Sequence, residues 1–167
     1  MREKKLVSWR IISQGHSGFK RGRAMDYHNI SAGAFGAGLR GMGLNLLVRD
    51  VGAQIAFLQT VFGMRAFQPT ADFAIMTYGS QVFQLHCDAT YHSNPLLGLL
   101  PETPPRGAGI EIRLYDTDPD TACTTAQSAG ATILQPPTNK PHGLREAYIL
   151  CANGYAWVPS RPLLTDA

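Results

Sequence analysis

The chain has 167 residues, 44% of them hydrophobic, 16% charged and 9% aromatic, with a formal net charge of +3. That length suits one domain, or two small halves sharing a core, and the apolar content argues against global disorder. No apolar run approaches the ~18 residues that a bilayer-crossing helix needs, so no membrane association is expected. Three widely spaced cysteines, Cys87, Cys123 and Cys151, exclude a disulfide scaffold and any CxxC motif. They favour a reducing compartment, the cytoplasm.

The positive charge sits at one end. Residues 1–24 carry Arg2, Lys4, Lys5, Arg10, Lys20, Arg21 and Arg23 against Glu3 alone, whereas residues 25–167 hold eight basic and eleven acidic side chains. Blocks of like charge usually stay solvated, so the leader reads as an extension, or as sequence ahead of a start at Met25. A nucleic-acid arm is the other reading of such a tail, but the body has no basic face, helix-turn-helix or zinc signature to go with it. Leu6–Trp9 and Ile11–Ile12 are split by Arg10 and make no secretory apolar region, while a transit peptide fits the composition. Ser31–Gly43, with five glycines, is expected to be a flexible lead-in. Residues 1–40 are thus read as a basic, glycine-containing extension.

The body repeats itself. Gly43-Leu-Asn-Leu-Leu-Val-Arg-Asp50 aligns with Gly109-Ile-Glu-Ile-Arg-Leu-Tyr-Asp116 at an offset of 66 residues. Both alternate, with Leu44, Leu46, Val48 and Ile110, Ile112, Leu114 on one face, as half-buried strands do. A helix follows each. In the first, Asp50 is the N-cap and Val51, Ile55, Leu58 and Phe62 form the apolar stripe. In the second, Asp118 caps, Pro119 takes the first helical position, and Ala122, Ala126 and Ala129 form a slimmer stripe. Gly63 and Gly130 terminate them. Met64–Pro69 then parallels Ala131–Pro136.

Each half closes with a hairpin: Phe73–Tyr78, a Gly79-Ser80 turn and Gln81–His86; then Leu144–Ala152, Asn153-Gly154 and Tyr155–Val158. Asn-Gly is a strong signal for a two-residue type I′ turn. The expected fold is therefore α+β: tandem βαβββ modules at 41–87 and 109–163, joined by a Pro-rich linker at 88–108. Paired side by side, their small sheets would make one curved, cup-like mixed sheet with helices outside, a single domain over 41–163.

At these residues the pattern resembles the glyoxalase, bleomycin-resistance and ring-cleaving dioxygenase superfamily, the vicinal oxygen chelate proteins. The first strand and helix with Phe62-Gly-Met64 carry the resemblance, together with Lys140-Pro-His-Gly-Leu-Arg-Glu146 and Asn153-Gly-Tyr-Ala-Trp-Val158. In metal-using members four inward positions hold the ion. The resemblance places them at Gly43, Gln84, Gly109 and Val158, of which only glutamine offers a side-chain donor. Divalent metals in such sites want three or four N/O donors, so no cofactor is expected.

If Leu44, Leu46 and Val48 face the helices, Asn45 and Leu47 face the cup, with Gln84, His86, Glu111 and Arg113. A two-residue turn pairing Val158 with Ile149 would put Ala147 and Arg145 there as well. These seven residues, Asn45, Leu47, Gln84, His86, Glu111, Arg113 and Arg145, are the expected ligand-binding set. The charged ones would form a polar floor inside an apolar wall, or pair among themselves in a closed core. Glu111, His86, His142 and Glu146 are candidate acid/base residues, and His86, His142 and Glu146 a candidate displaced metal set. Trp157 is expected under the helices with Phe83, Cys123 in the core, and Cys87 and Cys151 at strand ends. The apolar linker stretch Asn94–Leu100 would cap the cup or bury itself against a second subunit.

The expected function is a metal-independent small-molecule-binding protein, which the resemblance makes a homodimer. The alternative is a lyase, isomerase or dioxygenase of the same fold, using Glu111 as a base or a divalent metal in an unusual donor set.

Overall fold

The computed structural model describes residues 25–163 apart from 93 and 104. The basic leader and the final four residues lie outside the described residues. Two modules follow one another in the expected order. The first runs β1 (Asn45–Val48), α2 (Val51–Phe62), β2 (Arg65–Phe67), β3 (Phe73–Tyr78) and β4 (Gln81–Cys87). The second runs β5 (Glu111–Leu114), α3 (Pro119–Ser128), β6 (Thr132–Asn139), β7 (Leu144–Leu150) and β8 (Ala156–Pro162). Each builds a four-stranded mixed sheet, ordered β1-β4-β3-β2 and β5-β8-β7-β6, with the first strand parallel to the last. The two sheets stay separate and do not close on each other.

Local chemistry accounts for the helices. The Asp50 carboxylate accepts from the Ala53 amide at 2.9 Å, and Gly63 at φ +65° ends α2 in the left-handed region. Asp118 accepts from the Thr121 amide at 3.2 Å, and Pro119 opens α3. Leu46 and Val48 of β1 pack with Val51, Ile55, Leu58 and Phe62 of α2 and with Met76, Phe83 and Leu85. Leu114, Ala122, Cys123, Ala126, Ala147 and Ile149 of the second module join that same core. Trp157 locks the halves together, its ring centre 5.7 Å from Phe62 and 6.2 Å from Phe83. Each such buried side chain contributes about 1.5–3 kcal/mol of burial.

Polar ties reinforce that seam. The Asn153 side chain accepts from the Arg49 amide at 3.1 Å and donates to Gln54 at 2.9 Å. The Tyr155 hydroxyl donates to the Leu47 carbonyl at 2.9 Å. Arg106 donates to the same carbonyl at 3.3 Å and grips both Asp88 oxygens at 2.5 and 2.7 Å. The linker between Asp88 and Arg106 is thus pinned at both ends. Its 3₁₀ turns, Asp88–Tyr91 and Pro95–Leu99, bury no side chain, and Leu99 is 80% exposed.

Two local expectations fail. The first concerns Ser31–Gly43, which is not simply a flexible lead-in: Ala32–Gly38 form a short helix, α1, whose N-cap Ser31 accepts from the Ala34 amide at 3.2 Å. Phe35, 6% exposed, drives it by burying against Phe67 and Ile75. Glycine disfavours helix by about 1 kcal/mol per residue, and tertiary burial of one aromatic overrides that cost.

The second concerns the last hairpin. Asn153-Gly154 is not a two-residue turn. Cys151 and Tyr155 pair across a three-residue loop, with the Gly154 amide donating to the Cys151 carbonyl at 2.8 Å and Gly154 at φ +78°. Asn153 does not share that positive φ, as a type I′ turn would require. This is a type I turn followed by a left-handed glycine. The extra residue pairs Ile149 with Trp157 rather than Val158 and inverts the alternation of β7.

Candidate functional site

On each sheet the face away from the core is the inner face. In the first module the parallel ladder sets Asn45 beside Gln84 and Leu47 beside His86, so these four expected residues share one face. Ile75 and Phe73 extend it from β3, opposite Gln84 and His86. The linker covers one end: the Tyr91 ring lies 5.3 Å from His86, and the Asn45 amide donates to the Tyr91 hydroxyl at 3.4 Å. His86 is wedged between Tyr91 and Phe73, whose ring centre is 5.1 Å away, and its buried Nε2 has no hydrogen-bond partner among the described residues. Burial pushes the imidazole pKa down, which keeps it neutral near pH 7.

The strap made by residues 25–43 covers the other end. Phe35 and Leu39 of this strap, with Tyr27 and Ile30, pack over Phe67, Ile75, Phe73 and Val82. The Gln68 side chain, from a residue at φ +48°, donates to the Tyr27 and Ile30 carbonyls at 3.0 and 2.9 Å. α1 leaves a cavity on either side. One of about 580 Å³ is lined by Phe35, Leu39, Arg40, Gly43, Asn45 and Gln84 among others. The second, about 380 Å³, shares Phe35, Leu39 and Gln84.

The inner face of the second module has a different character. Glu111 and Arg113 of β5 lie on it as expected, and the inverted register adds Glu146 and Tyr148. Glu146 is only 2% exposed. Its carboxylate pairs closely with Arg113, lies 3.7 Å from Lys140 Nζ and 3.4 Å from His142 Nε2, and accepts from the Tyr148 hydroxyl at 3.5 Å. Arg113 also reaches Glu111 at 2.9 Å, and Tyr148 donates to Glu111 at 3.1 Å. Burial works to raise the Glu146 pKa, but Arg113, Lys140 and His142 outweigh it and hold the carboxylate below its ordinary range. Burial likewise opposes the charge on Arg113, and Glu146 with Glu111 reverses that and pushes its pKa up. A groove of about 410 Å³, lined in part by Gly109, Glu111, Leu134, Leu150 and Ala156, continues this face toward the start of β5.

Arg145 is the correction in the site set. It lies on the helix side of β7, where it grips Asp120 of α3 with Nε at 2.7 Å and Nη2 at 2.6 Å. The expected single polar floor also divides. Among the described residues no hydrogen bond or ion pair joins Asn45, Gln84 or His86 to Glu111, Arg113 or Glu146. His142 and Glu146 do meet, but His86 stands on the other sheet, so the displaced metal trio is not assembled. Tyr148 and Lys140 were missed, because the register slip hid the first and the second follows the last paired residue of β6. The strap was missed because its glycines masked a helix.

Four positions bear on a metal of the kind the resemblance implies. Gly43 and Gly109 have no side chain, Val158 is an aliphatic residue 0% exposed, and Gln84 is a single neutral oxygen donor. That set offers one side-chain donor where a catalytic divalent cation wants three or four N or O donors from the protein, so it does not fit one. Among the described residues, no group of three or more His, Cys, Asp or Glu side chains is placed to hold one. Nor, among those residues, is any helix long and apolar enough to cross a membrane.

No protein-family model and no curated protein matches the chain. Solved structures do. A glyoxalase/bleomycin resistance protein/dioxygenase family enzyme from Burkholderia phytofirmans PsJN superposes with TM-score 0.62 at 18% identity, covering 72% of this chain and 97% of its own. A glyoxalase/bleomycin resistance protein/dioxygenase from Nocardioides gives 0.58 at 21%, over 77% and 87%. A glyoxalase-related enzyme from Fulvimarina pelagi gives 0.59 at 16%, over 77% and 94%. With its paired βαβββ modules, the chain has the fold of the glyoxalase/bleomycin resistance/dioxygenase superfamily.

Proposed function

We propose that this protein binds a small molecule on the inner face of its first module, in the manner of the bleomycin-resistance type, and does so without a resident metal. One observation carries the reading. Beside Gly43 and Gln84, where the fold's metal users would present ligands, there is a cavity of about 580 Å³ walled by apolar side chains, two amides and Arg40. Space of that size with few polar groups suits enclosure of a ligand. Chemistry would ask for more. A general base works best with a pKa near the operating pH, whereas Glu146 is held low by its cationic neighbours. His86 has its Nε2 buried without a hydrogen-bond partner among the described residues. The enzyme alternative, a lyase, isomerase or dioxygenase, therefore has the weaker support.

The protein is also proposed to be a homodimer. Leu99, Ile110 and Leu134 are large apolar side chains left more than half exposed, a pattern that marks association surfaces when it is contiguous. Sedimentation equilibrium should return twice the chain mass.

Metal analysis of protein purified without chelator, followed by thermal-shift screening of a broad small-molecule library, tests the binding reading. The expected result is no stoichiometric Ni, Zn, Fe or Mn, together with ligands whose stabilisation survives EDTA. At a hundredfold excess over Kd a ligand adds about 2.7 kcal/mol. Stoichiometric metal, or a library without a single hit, would overturn it.

A further inference from the structure

We propose that the strap of residues 25–43 is a working wall of the ligand site, and that it selects a molecule with an apolar body and a carboxylate end. The proposal rests on the binding reading above and adds the class of ligand. Of the side chains lining the larger cavity, the strap supplies Phe35, Leu39 and Arg40, and the sheet supplies Asn45, Val82 and Gln84 among others. Among the described residues, Arg40 is the only charged side chain in that lining, and no carboxylate accompanies it.

The consequences for recognition are direct. A cationic ligand would find no counter-charge there. An anionic one would meet a guanidinium and two amide groups, with Phe35 and Leu39 to receive its apolar part. Charge-assisted hydrogen bonds of that kind are about twice as strong as neutral ones. Arg40 is held in place already: its Nη1 donates to the Ala37 and Leu39 carbonyls, each at 2.7 Å, at the end of α1. Among the described residues only one guanidinium nitrogen is committed, so the group keeps donors for a ligand. Phe35 in turn anchors the helix that Arg40 follows, because its ring is buried on the sheet. The strap thus ties ligand charge selection to its own docking.

Three probes of one shape test this: 2-naphthoate, 2-naphthamide and 2-naphthylmethylamine, titrated by calorimetry into the full chain and into Arg40→Gln, Arg40→Lys and Phe35→Ala. In the wild type, naphthoate should bind tightest and the amine severalfold weaker, as expected for an exposed guanidinium at the rim of the cavity. Arg40→Gln should erase the difference between naphthoate and naphthamide, Arg40→Lys should keep it, and Phe35→Ala should weaken both. Absence of binding by all three probes, or an order unchanged in Arg40→Gln, would overturn the strap's role. A library ligand that binds wild type, Arg40→Gln and Phe35→Ala alike would sink the strap proposal and leave the binding reading standing. A library with no ligand at all would remove both.

Discussion

Arg145 and Glu146 are neighbours on β7 that serve opposite faces of the sheet: Arg145 holds Asp120 on the helix side, and Glu146 holds Arg113 on the inner side. Alternation along a strand makes that division unavoidable, and it separates two kinds of charge pair that the sequence sets side by side.

Glu146 should be important for stability, in a pH-dependent way. Its folded pKa is depressed, so its contribution is fully present above the unfolded value and is lost as pH falls through the folded one. Glu146→Ala removes the buried partner of Arg113, leaving it the half-exposed Glu111 alone, and should cost about 1–3 kcal/mol at pH 7. Glu146→Gln should cost less. The gap between wild type and Glu146→Gln, measured by urea denaturation, should shrink as pH drops below the carboxylate range.

Arg145→Gln is the contrasting case. Its partner Asp120 is nearly half exposed, and pairs of that kind are weak and screened by salt. The substitution should lower Tm slightly, by an amount that fades at high ionic strength, and leave the binding of any ligand untouched. A ligand-affinity loss in Arg145→Gln would contradict its placement on the helix side.

Two glycines should respond in opposite directions. Gly154→Ala forces a side chain into φ +78° and drives its Cβ into the Pro105 and Arg106 backbone, so a loss of more than about 2 kcal/mol is expected. Gly33→Ala meets nothing within 4 Å inside α1 and should stabilise that helix by about 0.5–1 kcal/mol. Slower amide exchange confined to α1 would register the second effect.

Trp157 is fully buried between Phe62 and Phe83. Trp157→Ala should cost about 3–5 kcal/mol. Since its ring bridges the modules, both halves should unfold in one transition that moves down together by circular dichroism and fluorescence.

Much of this fold was legible in the sequence. The offset of Gly43–Asp50 against Gly109–Asp116, the caps at Asp50 and Asp118 and the Gly79-Ser80 turn all report local interactions, which short stretches encode. Gly79 at φ +54° joins Tyr78 directly to Gln81 across two residues, as that dipeptide implied. What escaped depends on a choice that local sequence leaves open. Asn153-Gly154 serves a two- or a three-residue loop equally well, and that one residue decides whether Ala147 and Arg145 or Glu146 and Tyr148 face inward. Phe35 posed the other difficulty. A single aromatic among glycines carries no helical periodicity, and its partners Phe67 and Ile75 stand more than thirty residues away.

The Arg106 clamp on Asp88 and Leu47 has a final consequence, for how this chain tolerates being cut. With both ends of the linker fastened to the first module, and with Trp157, Asn153 and Tyr155 setting the seam, the Leu96–Leu99 stretch buries no side chain between the halves among the described residues. A nick there leaves two polypeptides in one folded body. Length changes in the same stretch alter chain connectivity without moving either inner face, so the two modules are in effect a heterodimer that happens to share a gene product.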